Sequence, residues 1–276
     1  MRIDAHQHFW TIARGDYGWL KPELKPLYRD FGPDDLHPLL QAAGLDGTIL
    51  VQAAPTRAET DFMLGLARET PFIKGVVGWA DFESQTASDD IRQMAGSPAL
   101  VGLRPMIQDI PDPDWMLRPD LAPAFDALIE AGLVLDALTL PHHLSNLKTL
   151  LARYPDMKVV IDHGSKPLIR DGIFEGWAED MAAIAAETGA FCKLSGLITE
   201  AAENWTADDL RPYVRHLLTC FGPERLIWGS DWPVCTLAGT YHAWLAATAD
   251  LLSDLSDGQQ AKILGLNAVE VYGLAL

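Results

Sequence analysis

A chain of 276 residues with about half its residues hydrophobic suits one large α/β domain, expected here as a single unit over residues 1–276. The formal net charge of -17 argues against nucleic acid or an anionic membrane surface, since a phosphate backbone calls for a basic footprint, and no apolar run is long enough to span a bilayer. Cys192, Cys220 and Cys235 form neither a C-x-x-C pair nor an even framework, so free thiols, no signal peptide and a reducing cytoplasm are expected.

The chain opens on Met1-Arg2-Ile3-Asp4-Ala5-His6-Gln7-His8-Phe9-Trp10, which predicts a short strand. Side chains on a strand alternate faces, so His6 and His8 point the same way. Further runs rich in Val, Ile and Leu follow over 47–54, 73–80, 100–107, 133–140, 158–163, 190–197 and 225–231. They are near-continuous hydrophobic stretches, as parallel strands covered on both faces require. Helical patterns lie between them. The first, 34–43, starts on two acids and stops at Gly44, and 59–69 ends before Pro71. Others cover 121–131, 144–153, 175–188 and 206–221, the last opening on the capping pair Thr206 and Asp209. From Tyr241 the tail reads as helix with a break near Asp257-Gly258. Eight strands alternating with helices predict a (β/α)8 TIM barrel. The rival doubly wound sheet would carry a Gly-rich phosphate loop after a strand, and none follows any run here.

In such a barrel the active site lies at the carboxyl ends of the strands. The residues delivered there are His6, His8 and Trp10; Gln52; Trp79 and Asp81; Arg104; Asp136, His142 and His143; His163 and Lys166; Lys193 and Ser195; and Asp231 with Trp232. Five of the eight histidines fall at strand ends, while His37, His216 and His242 fall in helical patterns and are expected on the surface. Asp136 suits a structural pairing, with a neighbouring strand or with Arg104. Lys193 and Ser195 suit positions facing the helices, and His142 and His143 serve a helix start as readily as a site. The tryptophans Trp10, Trp79, Trp115 and Trp232 fit a core or a pocket wall.

Taken together, His-X-His on the first strand, His163 and Asp231 resemble the amidohydrolase superfamily. More narrowly, Gly102-Leu103-Arg104-Pro105, Asp114-Trp115-Met116-Leu117-Arg118, Pro141-His142-His143-Leu144, the stretch from Val160 to Pro167, Lys193-Leu194-Ser195-Gly196-Leu197 and Gly229-Ser230-Asp231-Trp232-Pro233-Val234 resemble its branch of sugar lactonases and related lactone hydrolases. The resemblance runs from the first strand to the last helix. It implies a lactone hydrolase acting on a small aldonolactone, of which one from L-fuconate is the nearest type. Asp231 is then the general base, and His6, His8 and His163 polarise the carbonyl, alone or through one Zn2+ held with Asp231. Two-metal members carry a bridging Lys or Glu where Arg104 stands here, so at most one divalent ion is expected, and a metal-independent reaction is equally open. Arg104, His143 and Lys166 are expected to bind substrate hydroxyls or a carboxylate. Trp10, Trp79 and Trp115 are expected to wall the sugar, and Arg118 to order the loop after strand four. The alternatives are a metal-dependent non-oxidative decarboxylase of the same superfamily, a deaminase or amide hydrolase, and an inactive sugar-binding barrel.

Overall fold

Eight short runs of buried apolar residues become eight strands joined side by side in chain order, every pair parallel. They are β1 (Ile3–Gln7), β2 (Gly47–Val51), β3 (Ile73–Gly78), β4 (Leu100–Leu103), β5 (Val134–Ala137), β6 (Val159–Ile161), β7 (Phe191–Leu194) and β8 (Leu226–Trp228). This computed structural model describes residues 1–275. The ring closes just beyond β8. Gln7 bridges Trp232, the Asp231 N–H donates to the His6 carbonyl at 2.7 Å, and the His8 N–H donates to the Trp232 carbonyl at 2.8 Å. A parallel neighbour can be reached only by a crossover, and helices supply it. The outer helices are α1 (Pro33–Ala43), α2 (Arg57–Glu69), α3 (Ala87–Ala95), α4 (Ala122–Glu130), α5 (Leu144–Arg153), α6 (Glu175–Glu187), the short α7 (Leu197–Glu200), α8 (Ala207–Phe221) and α9 (Tyr241–Leu251). Two more, α10 (Asp257–Ala261) and α11 (Asn267–Tyr272), carry the chain beneath the barrel.

The helix ends are written in local chemistry. Thr56 accepts from the Glu59 N–H at the start of α2, Asp209 accepts from the Thr206 N–H at the start of α8, and α1 ends on Gly44 in the left-handed region. Between strands and helices lies the larger core, with Trp177, Trp244, Phe125 and Leu217 among its buried members. Inside the ring a second apolar layer fills the end where the strands begin: Ile3, Ala5, Ile49, Val51, Val77, Val134, Val160 and Ile227, closed from below by Val271, Tyr272 and Leu274. With that end plugged, polar groups inside the barrel meet solvent only at the opposite mouth.

Three elements differ from the sequence reading. The strands are shorter than their apolar runs: β4 stops at Leu103, ahead of Arg104 and Pro105, because Pro105 has no N–H to continue the ladder. Helix α3, over residues left without an element above, buries Ala87, Ile91 and Met94 along one face, although Ser88, Asp89 and Asp90 mask the pattern. The break in the tail comes earlier than Asp257: α9 stops at Leu251, and Ser256 caps α10 by accepting from the Gln259 N–H. His216, expected at the surface, is half-buried, its Nε2–H donating to the Ala178 carbonyl at 2.8 Å.

Candidate active site

The seam between first and last strands decides the geometry. Because Asp231 bonds through its N–H to the His6 carbonyl, a carboxylate from the end of the chain stands beside two imidazoles from its start. Such closeness requires Gly229, where a Cβ would lie 2.6 Å from the His6 Cβ. Asp231 itself adopts a left-handed backbone (φ 55°), which a non-glycine residue holds only at some cost. Its Oδ1 lies 3.2 Å from His8 Nε2 and 3.6 Å from His6 Nε2.

His163 comes from the end of β6 through an unusual turn. His163, Gly164, Ser165 and Lys166 all have positive φ, from 51° to 60°. For L-residues the left-handed conformation costs roughly 1–2 kcal/mol each, so the surroundings must enforce it. Trp177 Nε1–H donates to the Gly164 carbonyl, and the Ser165 hydroxyl bonds to that of Thr139. His163 Nδ1 bonds to Ser195 Oγ at 2.8 Å, and Gly196 leaves room for that ring, since a Cβ there would fall 2.5 Å from Nδ1. The turn thus presents both His163 and Lys166 to the mouth.

Beneath these groups lies a buried charged network. Lys193 Nζ is 2.5 Å from Asp136 Oδ2, 2.9 Å from Asp162 Oδ1 and 3.2 Å from His6 Nδ1, and the Tyr272 hydroxyl donates to Asp136 Oδ1. Arg104 donates from NH1 to Asp162 Oδ2 (3.2 Å), lies 3.3 Å from His6 Nε2, and donates from NH2 to the Gln52 carbonyl. Gln52 Nε2–H returns a bond to the Arg104 carbonyl at 2.7 Å. Burial would raise Asp162, but Lys193, His6 and Arg104 together hold it well below the usual carboxylate range. Burial, with Lys193 beside it, keeps His6 neutral, far below an ordinary histidine. Burial also lowers His163, to about 4, against the pull of Asp231 and Asp162. Asp231 is buried too, yet His163, His8 and His6 hold it ionised, well below its ordinary value.

These groups floor a cleft of about 310 Å³ at the barrel mouth. Its polar lining comes from His8, Arg104, Gln108, Asp109, His163, Lys166 and Asp231, and its apolar lining from Trp19, Leu24, Met106, Leu138, Val234 and Leu237. The structure therefore brings together His6, His8, His163 and Asp231, with Arg104 and Lys166 beside them. It does not bring Trp10, Trp79, Trp115 or His143 to the cleft. Trp10 is fully buried, its Nε1–H donating to the Arg29 carbonyl. Trp79 is tied through its backbone to Thr60 Oγ1. Trp115 packs on Phe82 in the core, and His143 Nδ1 accepts from the Leu140 N–H at the head of α5. The aromatic residue that lines the cleft is Trp19, whose Nε1–H donates to the Ala53 carbonyl. Asp136 pairs with Lys193 rather than Arg104, and Lys193 and Ser195 point inward, not toward the helices. Arg118 ties Asp120 to Glu83, joining the loops after β3 and β4. Asp162 and the inward Lys193 were missed. For Lys193 the available signal was Asp136, an opposite charge within a short buried strand two apart in the sheet.

The donor set accommodates one metal ion. Ligand atoms of His6, His163 and Asp231 lie within 4.8 Å of one another. The His8 Nδ1–H donates to the Val51 carbonyl at 2.8 Å, which leaves a lone pair on Nε2 facing the Asp231 carboxylate at 3.2 Å. That contact needs either a proton on Nε2, which makes His8 a donor to Asp231, or a cation between the two.

A parallel barrel with imidazoles from the ends of β1 and β6 and a carboxylate after β8, gathered at the carboxyl ends of the strands, defines a barrel of the His-X-His, His, Asp type. The chain belongs to the amidohydrolase family, whose model matches residues 3–274. It is 45% identical to an L-fucono-1,5-lactonase of Burkholderia ambifaria, over 98% of this chain and 95% of that one. It is 34% identical to an L-fucono-1,5-lactonase of Burkholderia multivorans, over 99% and 96%. A crystal structure of a Burkholderia multivorans amidohydrolase with bound zinc superposes with a TM-score of 0.93 at 35% identity, covering all of both chains.

Proposed function

We propose that this chain is a lactone hydrolase that opens an aldonolactone of the L-fucono-1,5-lactone type to the sugar acid. The observation that carries the reaction class is the full-length likeness to two L-fucono-1,5-lactonases. The cleft suits such a ring, since its lining combines polar groups for hydroxyls with apolar side chains. Lys166 and Arg104 bring positive charge to the cleft in which a carboxylate product would form. The three free cysteines accord with action in the reducing cytoplasm.

In this mechanism Asp231 is the base. It is ionised at any working pH, and it accepts a proton from water as the water oxygen bonds to the lactone carbonyl carbon and becomes acidic. The tetrahedral oxyanion forms against His163 and the guanidinium of Arg104, polar groups already fixed in place and largely shielded from solvent, while His8 stays bonded to Val51 and Asp231. Asp231 then returns the proton to the ring oxygen as the C–O bond breaks, and the open hydroxy acid leaves. A divalent ion held by His6, His163 and Asp231 would supply Lewis-acid polarisation of the carbonyl. The test is a pH-indicator assay of acid release from L-fucono-1,5-lactone and other aldono-1,4- and 1,5-lactones, with and without chelator and corrected for spontaneous opening. Turnover of none of these above background would overturn the reading.

A further inference from the structure

His6 stands between two cations and has one lone pair to give. Lys193 Nζ lies 3.2 Å from its Nδ1, and Arg104 NH1 lies 3.3 Å from its Nε2. Both partners are donors only, and a neutral imidazole accepts at a single nitrogen. The acceptor beside Nδ1 is Asp162 Oδ1, at 3.4 Å. A proton on Nδ1 directed to Asp162 leaves the lone pair on Nε2, the nitrogen that faces Asp231 in the cleft. That is also the nitrogen through which His6 would join His163 and Asp231 around an ion.

We propose that Arg104 competes with the divalent ion for the Nε2 lone pair of His6, so that the chain carries its own cation at the metal site and holds the metal weakly. The guanidinium is poorly placed to yield. Its NH1 also donates to Asp162 Oδ2 and its NH2 to the Gln52 carbonyl, so the rigid fork is fixed at two further points. In the metal-free protein Arg104 keeps Asp162 and His6 in register. With metal bound, His6 must give up the Arg104 contact, and the two positive centres repel. Both effects lower metal affinity. This inference concerns the ion alone and does not depend on the lactone reading.

The test measures zinc binding without substrate. Protein stripped with a chelator and then desalted is titrated with zinc against a chromophoric competitor, for the wild type, Arg104→Met, His6→Ala and the double variant. We expect Arg104→Met to bind zinc about ten- to a hundredfold more tightly, the range of one charge-assisted hydrogen bond. That gain should shrink sharply in the His6→Ala background. Zinc binding by Arg104→Met with no detectable binding by the wild type would also support the proposal. Equal or weaker binding by Arg104→Met overturns it, as does no binding by either protein. A gain that persists unchanged without His6 also overturns it, since Arg104 would then act through charge alone. If circular dichroism shows that metal-free Arg104→Met is unfolded, Arg104→Gln, which keeps a neutral donor toward Asp162, is judged by the same criteria.

Discussion

Two layers of polar groups lie one above the other inside this barrel, and they are built on opposite rules. In the lower layer, Asp136 is hydrogen-bonded to both Lys193 and Tyr272, Lys193 also pairs with Asp162, and all four are sealed from water. In the upper layer, His8 Nε2 lies 3.2 Å from the Asp231 carboxylate, a contact that needs a proton or a cation between the two, and the backbone around both Asp231 and His163 is left-handed. A satisfied buried ion pair resists being broken but does no chemistry. Imidazoles gathered around a carboxylate at the open mouth can exchange a proton or hold a cation or a polarised substrate. The lower layer reads as scaffold and the upper as the working surface.

The sharpest way to test that division is to change one residue in each. Asp231→Asn is nearly isosteric and should leave the fold and most lactone binding in place, yet it cannot accept the proton of water. We expect kcat to fall by about two to four orders of magnitude, the usual worth of a general base. Zinc content measured on the same sample separates loss of the base from loss of a ligand. Near wild-type turnover per folded molecule would remove Asp231 from the mechanism.

Lys193→Met should do the reverse. It leaves Asp136 and Asp162 buried without their shared cation, a loss worth roughly 3–5 kcal/mol of stability. The check is chemical denaturation: the midpoint should drop strongly. A variant as stable as the wild type but with abolished turnover would move Lys193 into the upper layer.

Glu59 sharpens the comparison from a third position. Like Asp162 it is a buried carboxylate, but its oxygens accept only from the backbone N–H groups of Ala53 and Ala54. Burial therefore raises it, to about 7 from 4.5, against those amides and the more distant Arg104. The folded state holds its proton to higher pH than the unfolded chain does. The contribution of Glu59 is thus most favourable below pH 4.5, falls as pH rises through about 7 and is level above that. The span is about 3 kcal/mol, at 1.36 kcal/mol per pKa unit. Stability measured against pH for the wild type minus that for Glu59→Gln should show this fall, and a flat difference would contradict it.

How much of this was legible in the sequence follows the same division. The upper layer could be read because His6, His8, His163 and Asp231 end apolar runs, where a barrel places its chemistry. The ring order followed from alternating strand and helix patterns. The lower layer was hidden because its meaning is pairwise: Asp136 and Lys193 each look misplaced alone, and only the strand register brings them within 2.5 Å. Helix α3 was hidden by polar residues at its start, and strand ends were overextended because apolar runs continue into the loops above the barrel. The aromatic wall was misplaced for a related reason. Proximity in sequence to a strand end does not say which way an indole turns. Trp10 turns into the core, whereas Trp19, nine residues later in an irregular loop, returns to the cleft.

That contrast gives the smallest and most discriminating prediction. Trp19 is about a third exposed (37%), lines the cleft and is anchored by its Nε1–H to the Ala53 carbonyl, edge-on to Trp10. Its ring offers a broad face to substrate but no group that can move a proton. Trp19→Leu should therefore weaken binding without touching the chemical step. We expect KM to rise about three- to tenfold, the scale of a lost aromatic contact of roughly 0.5–1.5 kcal/mol, with kcat nearly unchanged. Trp79→Leu is the control. Its side chain lies outside the cleft and its backbone alone bonds Thr60, so KM and kcat should both stay at wild-type values. Should Trp79→Leu raise KM and Trp19→Leu leave it alone, the cleft wall described here is the wrong one. A large fall in kcat for Trp19→Leu would instead mean that the loop carrying it orders the upper layer itself, and the boundary between wall and working surface would have to be redrawn to include residues 11–31.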